Sequence, residues 1–180
     1  MNLKFYILSF LSLFVFTSVN NQTGKNDFRD TQSTLKALYI YNFATLTDWP
    51  TNYKKADFEI AIISTNSNVY NELYKKYNGK SIGSQKVKTV RYKSPSEIGK
   101  PNILFLDKSS NSLMTKVNEK LKSSSTMFVT NKPGALKSGS IINFVEVNNK
   151  QSYEINVKTA KKKKLVIASK LIDLAIKKIE

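Results

Sequence analysis

Asp107 directly follows the apolar run Asn102 to Leu106, so its carboxylate stands just past the end of what reads as a buried strand. Sites in α/β sheets lie outside the carboxyl ends of strands. Asp107, together with Thr65 and Asn66 after an earlier apolar run, therefore marks a candidate crevice for a small anionic ligand. One carboxylate is not a catalytic centre, and its ordinary role is to cap a turn. Asp57 and Glu59 stand two apart and share one face of a strand, whereas a hydrolytic carboxylate pair has to flank a bond from opposite sides. Gly79, Lys80 and Ser81 imitate the end of a phosphate loop but lack its upstream glycine. Gly134 and Gly139 lack the tight spacing of a dinucleotide-binding loop. The chain has no cysteine and no histidine, which removes thiolate nucleophiles, disulfides and the usual zinc sets. These residues do not converge on an enzyme, and no cofactor, metal or catalytic residue is expected.

The charge is lopsided, with 29 basic against 13 acidic residues and a formal charge of +16. All the basic residues except Arg29 and Arg91 are lysines, point charges without the planar fork that reads phosphates and base edges. The densest run, Lys161, Lys162, Lys163 and Lys164, has no interleaved aromatic residue. It reads first as a solvated face and second as a contact for anionic lipid or acidic protein, and nucleic acid is not an expected partner.

The elements that hold these groups alternate in type. A helical pattern starts near Asp30, with Asp30 or Ser33 as its cap, and carries Leu35, Leu38, Tyr39, Leu46 and Trp49 in one stripe with Asn42 at its centre; Pro50 closes it. Strand patterns follow at Asp57 to Ser64, Val87 to Tyr92, Asn102 to Leu106 and Thr126 to Thr130. Helical segments intervene at Val69 to Tyr77 and Leu113 to Leu121. The run at 102 to 106 is too uniformly apolar for a half-exposed strand and is expected at the sheet centre, covered on both faces. Ile141 to Val147 and Ser152 to Val157 read as a hairpin around the turn Asn148 to Lys150. A last helix is expected over Ala168 to Lys178, with Ala168, Leu171, Leu174, Ala175 and Ile179 inward. The expected fold is α/β: a three-layer sandwich with a mostly parallel central sheet and a C-terminal β-hairpin plus helix.

Residues 1 to 20, MNLKFYILSFLSLFVFTSVN, combine a lone Lys4, an apolar stretch too short for a membrane span and small residues after it, the pattern of a cleaved export signal. The expected division is a signal peptide at 1–19, a flexible arm at 20–29 and one domain at 30–180.

LKALYIYNFATLTDWP (Leu35 to Pro50), NILFL (Asn102 to Leu106) and GSIINFVEVNNKQSYEINVKTAKKKKLVIASKLIDLA (Gly139 to Ala175) resemble the YfiR-like family of small exported regulatory proteins. The resemblance implies an α/β sandwich working in the periplasm. It implies a non-catalytic regulator that restrains a membrane-bound signalling protein, of diguanylate cyclase or sensor kinase type, through that protein's periplasmic portion. Lys36, Asn42 and Pro50 fall in its first block, and Asn143, Phe144, Glu154, Asn156, Ser169, Lys170 and Leu171 in its last, as mainly structural positions. Exposed members of the set Tyr39, Tyr41, Phe43 and Trp49 are the candidates for partner contact, because aromatic anchors concentrate interface energy. A homodimer is a further partnership open to the chain. Two rival functions are a periplasmic small-ligand-binding module and a lysine-rich protein that binds the envelope or anionic lipid. The chain departs from the family in having no cysteine pair, and in Ser140 and Lys164 where the family tends to carry glycine.

Overall fold

A computed structural model describes residues 23–66 and 68–180, with side chains from residue 31 onward. The expected signal peptide at 1–19 lies outside the described residues. In chain order the elements are α1 (Thr23–Thr45), β1 (Thr47–Asp48), β2 (Phe58–Ile63), α2 (Asn68–Tyr77), β3 (Ser81–Ile82), β4 (Gln85–Tyr92), β5 (Ile103–Leu106), α3 (Met114–Leu121), β6 (Met127–Thr130), β7 (Ile142–Val147), β8 (Lys150–Asn156), α4 (Val157–Lys162), β9 (Val166–Ile167), α5 (Ser169–Asp173) and β10 (Lys177–Ile179). Eight strands form one sheet in the order β10-β8-β7-β6-β5-β2-β4-β3. The run from β4 through β7 is parallel throughout, β7 and β8 form an antiparallel hairpin, and β10 returns parallel to β8.

The central strands are apolar at every position because both faces are covered. On one face Ile60, Ile62, Ile103, Phe105 and Val129 meet α1, α2, α4 and α5. On the other, Ala61, Ile63, Leu104, Leu106 and Phe128 meet α3. The α/β class and the parallel centre are as the sequence implies, but the clothing of the sheet is uneven, with four α-helices on one side and one on the other among the described residues.

Helix α1 forms because no proline interrupts the run before Pro50. Its phase differs from the expected stripe. The inward residues are Ala37, Ile40, Phe43 and Ala44, whereas Leu38 is 42% exposed and Asn42 faces solvent. The stretch Leu35 to Leu46 is apolar on nearly every side, so polarity alone does not fix which face turns inward. Packing does: Phe43 meets Phe144 and Tyr153 at ring-centroid distances of 5.7 and 5.1 Å. The helix begins at Thr23, so residues 23–29, expected as an arm, form its first turns, and Asp30 and Ser33 are interior rather than capping positions.

Three further differences have local causes. The hairpin turn has two residues, not three: Val147 pairs with Lys150, and Asn148 and Asn149 take φ of 49° and 59°. Two successive left-handed residues match the twist of the flanking strands, and asparagine tolerates that region better than most side chains. The expected final helix stops early, since α5 ends at Asp173, Leu174 is 63% exposed, and the amide of Ile176 donates to the carbonyl of Tyr153 at 3.0 Å before β10 joins the ladder. Finally, β1 and β9 form a two-stranded ribbon that ties the end of α1 to the segment before α5.

Asn102 joins the starts of three central strands to the chain after α1. Its Oδ1 accepts from the Glu59 amide at 3.0 Å, and its carbonyl accepts from the Met127 amide at 2.8 Å and from the Trp49 indole at 3.2 Å. Its Nδ2 also donates to the Tyr53 carbonyl at 3.4 Å. Replacing Asn102 with Ala strips partners from two backbone groups at this junction and is expected to cost about 2 to 3 kcal/mol, read as a lowered midpoint in urea unfolding.

Candidate functional site

The chain leaves β2 by way of α2 to reach β4, then returns past β2 to enter β5. Helix α2 lies on one face and α3, after β5, on the other, so the connections diverge between β2 and β5. This is the position at which an open α/β sheet forms a crevice. A hydroxyl–carboxylate network bridges it. Ser64 and Ser109 both donate to Asp107 Oδ2, at 3.2 and 3.1 Å, and the Thr65 amide donates to Ser109 Oγ at 3.2 Å. The Arg91 guanidinium donates to the Ser64 carbonyl at 3.1 Å and pins the end of β2.

Beside this network a cleft of about 790 Å³ opens between the middle of α1 and the ends of the strands. That volume falls in the range of small-molecule sites. Asn66, Asp107 and Asn131 contribute from the strand ends, Lys36 from α1, and Glu146 and Glu154 from the hairpin. The floor is held by buried polar contacts. Thr130 Oγ1 and the Lys132 amide donate to Asn143 Oδ1 at 2.9 and 3.0 Å, and Asn143 Nδ2 donates to Glu154 Oε2 at 3.3 Å. Lys36 is half-buried, and among the described residues no acceptor lies within bonding distance of its ammonium. Burial lowers its pKa from the ordinary 10.5, while the charges of Asp107 and Glu146 oppose that shift.

A second groove, of about 650 Å³, lies at the C-terminal end of α1 between Ala44, Leu46, Phe58, Ile82 and Val166. It is more apolar and gathers fewer charged groups, so the strand-end cleft is the better chemical candidate.

The sequence places Thr65, Asn66 and Asp107 together, and the structure does bring them to one crevice. Lys36 and Asn143, read from the sequence only as structural positions, turn out to build its wall and floor. A signal for Lys36 is present in the sequence: it shares a helical face with Ile40 and Phe43, both core residues, so a charge there has to reach a cavity or solvent. The aromatic set divides between the core and the flank of α1. Phe43 and Trp49 are core residues and present no surface; Trp49 packs edge-on against Phe58. Tyr39 is half-buried among Phe43, Phe144 and Tyr153, and Tyr41 stacks on Tyr77 at 4.2 Å. Glu59 accepts from the Tyr92 hydroxyl, whose pKa burial and this bond push up to about 12.

The other family-block positions fall in different settings. Phe144 fills the ring cluster, Pro50 is half-buried after α1, and Leu171 is in the core, while Ser169 and Lys170 are exposed. Asn156 caps α4, accepting from the Thr159 amide at 2.8 Å, and donates to the Leu136 carbonyl at 3.1 Å. In the lysine run, Lys161, Lys162 and Lys164 are exposed, but Lys163 is not available to a partner. Its ammonium donates to the Leu121 and Ser124 carbonyls at 2.7 and 3.0 Å, closing the C-terminal end of α3. Lys164 has a φ of 59°, so it adopts the backbone state a glycine there would favour.

The YfiR/HmsC-like family model matches residues 33–176, most of the chain and nearly all of the described domain. The chain belongs to the YfiR/HmsC-like family. No curated protein matches it. The YfiR/HmsC-like match covers every residue that lines the cleft except Gln32. The family is non-catalytic, and this member has no cysteine and, among the described residues, no group of three His, Cys, Asp or Glu able to hold a metal. Among the described residues no helix is long and apolar enough to cross a membrane.

The two half-buried lysines should part company on mutation. The folded pKa of Lys36 lies below its unfolded value, so the charged form weakens the fold at neutral pH, and the penalty fades as pH rises through the folded value toward 10.5. Lys36→Met is therefore expected to raise the thermal midpoint at pH 7, with the gain over wild type shrinking as pH rises toward 10.5. Burial lowers the pKa of Lys163 too, yet its bonds hold α3, so Lys163→Met is expected to lower the midpoint and cost about 1 to 3 kcal/mol. Thermal unfolding followed by circular dichroism across this pH range tests both.

Proposed function

We propose that the chain is an exported, non-catalytic regulator that binds the periplasmic portion of a membrane signalling protein, of diguanylate cyclase or sensor kinase type, and holds it in its off state. The observation that carries this reading is the match of residues 33–176 to the YfiR/HmsC-like family. The export pattern at residues 1 to 20 supports it, because a partner's periplasmic portion is reached only from outside the cytoplasm. Such a regulator works by stoichiometric population shift. A hundredfold preference for the off state corresponds to about 2.7 kcal/mol of coupling.

The contact surface in this proposal is the exposed flank of α1 around Leu38 and Tyr41. Leu38 is 42% exposed one helical turn from Tyr41, and Tyr41 is held rigid by its stack on Tyr77. A rigid aromatic group beside an exposed aliphatic one suits an interface anchor, since little conformational entropy is lost when it is covered. Phe43 and Trp49 take no part, because both are buried in the core.

The experiment is capture from detergent-solubilised membranes with the purified chain, followed by affinity measurement against the captured protein's periplasmic portion. Tyr41→Ala and Leu38→Ala are each expected to weaken binding by roughly tenfold while leaving the protein folded. Phe43→Ala is expected to destabilise the fold by about 3 to 5 kcal/mol instead. Capture of no membrane signalling protein, with cellular cyclic-di-GMP and kinase output unchanged on deletion, would refute the function. Unaltered affinity of the two surface variants would refute the surface.

A further inference from the structure

We infer that the cleft at the carboxyl ends of β2, β5 and β6 is a binding site for a small organic monoanion with an apolar body, its charged group seated on the Lys36 ammonium. The position is one at which the fold itself makes a crevice, and its volume of about 790 Å³ suits such a molecule. The sign of the ligand's charge follows from which groups in the cleft are already engaged. Asp107 Oδ2 is held by two serine hydroxyls, at 3.2 Å from Ser64 and 3.1 Å from Ser109. Glu146 Oε2 accepts from Gln32 Nε2 at 3.1 Å, and Glu154 Oε2 accepts from Asn143 Nδ2 at 3.3 Å. Lys36 differs from all three. Its ammonium is drawn partly out of water with no bonded acceptor among the described residues, whereas Lys108, the other lysine lining the cleft, is exposed and keeps its water, so Lys36 is the cation that gains from a guest.

The surrounding carboxylates then set the valence. Asp107 and Glu146 act on Lys36 through space, which offsets part of its burial cost and repels a second negative charge on the ligand. A dianion is disfavoured and a monoanion accepted. Val69, Pro133, Phe144 and Val145 line the same cleft, an apolar wall for an aromatic or branched aliphatic body. This site is a property of the isolated chain. Its failure would be visible without a partner and would leave the regulatory reading untouched.

The test is calorimetric titration of the purified chain at fixed ionic strength with phenylacetate. Phenethylamine serves as the cationic isostere, phenylacetamide as the neutral one, and inorganic phosphate as an anion without an apolar body. Phenylacetate is expected to give a saturable single-site isotherm and the other three none. Lys36→Met, which the stability argument keeps folded, is expected to weaken binding by at least about tenfold, because a charge-assisted hydrogen bond is removed. Glu146→Gln is expected to tighten it, because a repelling charge is removed. Absence of saturable phenylacetate binding, an isotherm unchanged by Lys36→Met, or equal binding of phenethylamine, phenylacetamide or phosphate would each overturn the inference.

Discussion

Strands β2 and β5 present apolar side chains to both faces, so the fold has to cover both of them. Helices on opposite sides of a sheet require connections that diverge, and here they diverge between β2 and β5. The crevice is a by-product of that requirement. Where one connection leaves upward and the next downward, nothing fills the space past the strand ends, and the polar residues there line a cavity instead of a core. The hydroxyls of Ser64 and Ser109 around Asp107 are the local answer: they satisfy a carboxylate that the geometry has placed at a partly buried rim.

Helix α1 closes the arrangement from above. Its inward face meets Phe144 and Tyr153 of the hairpin, and the middle of the helix carries Lys36 over the crevice. Core packing and the placement of the half-buried Lys36 charge over the cleft are thus a single geometric fact. A shift in the phase of α1 would move both together. The hairpin behaves likewise: Phe144 faces the core, while Asn143 and Glu154 on neighbouring positions brace the floor of the cleft.

Each segment is legible in the sequence to the degree that its own residues constrain it. The run NILFL leaves no polar face, so a doubly covered central strand can be read directly, and with it the position of Asp107. The existence of α1 is legible too, but its phase is not, because Leu35 to Leu46 offers apolar residues on almost every side. The C-terminal segment misleads for a related reason. Leu171, Leu174, Ala175 and Ile179 fit helical spacing, yet only Leu171 and Ala175 are buried, and pairing of Lys177 to Ile179 with β8 overrides local propensity. The ribbon of β1 and β9 is two residues long on each side, too short for any periodicity to register. Lys36 reads as a family position and not as a cleft residue, since its surroundings come from strands as distant along the chain as the one carrying Glu154.

Trp49 is the chain's one tryptophan among 9 tyrosines and 10 phenylalanines, and its indole is buried edge-on to Phe58 with its N–H on the Asn102 carbonyl. The molecule therefore carries a native optical probe at the point where the segment after α1 docks on the strand starts. Emission excited at the red edge of the absorption band comes from that junction alone, and its colour reports whether water has reached it, with no label attached.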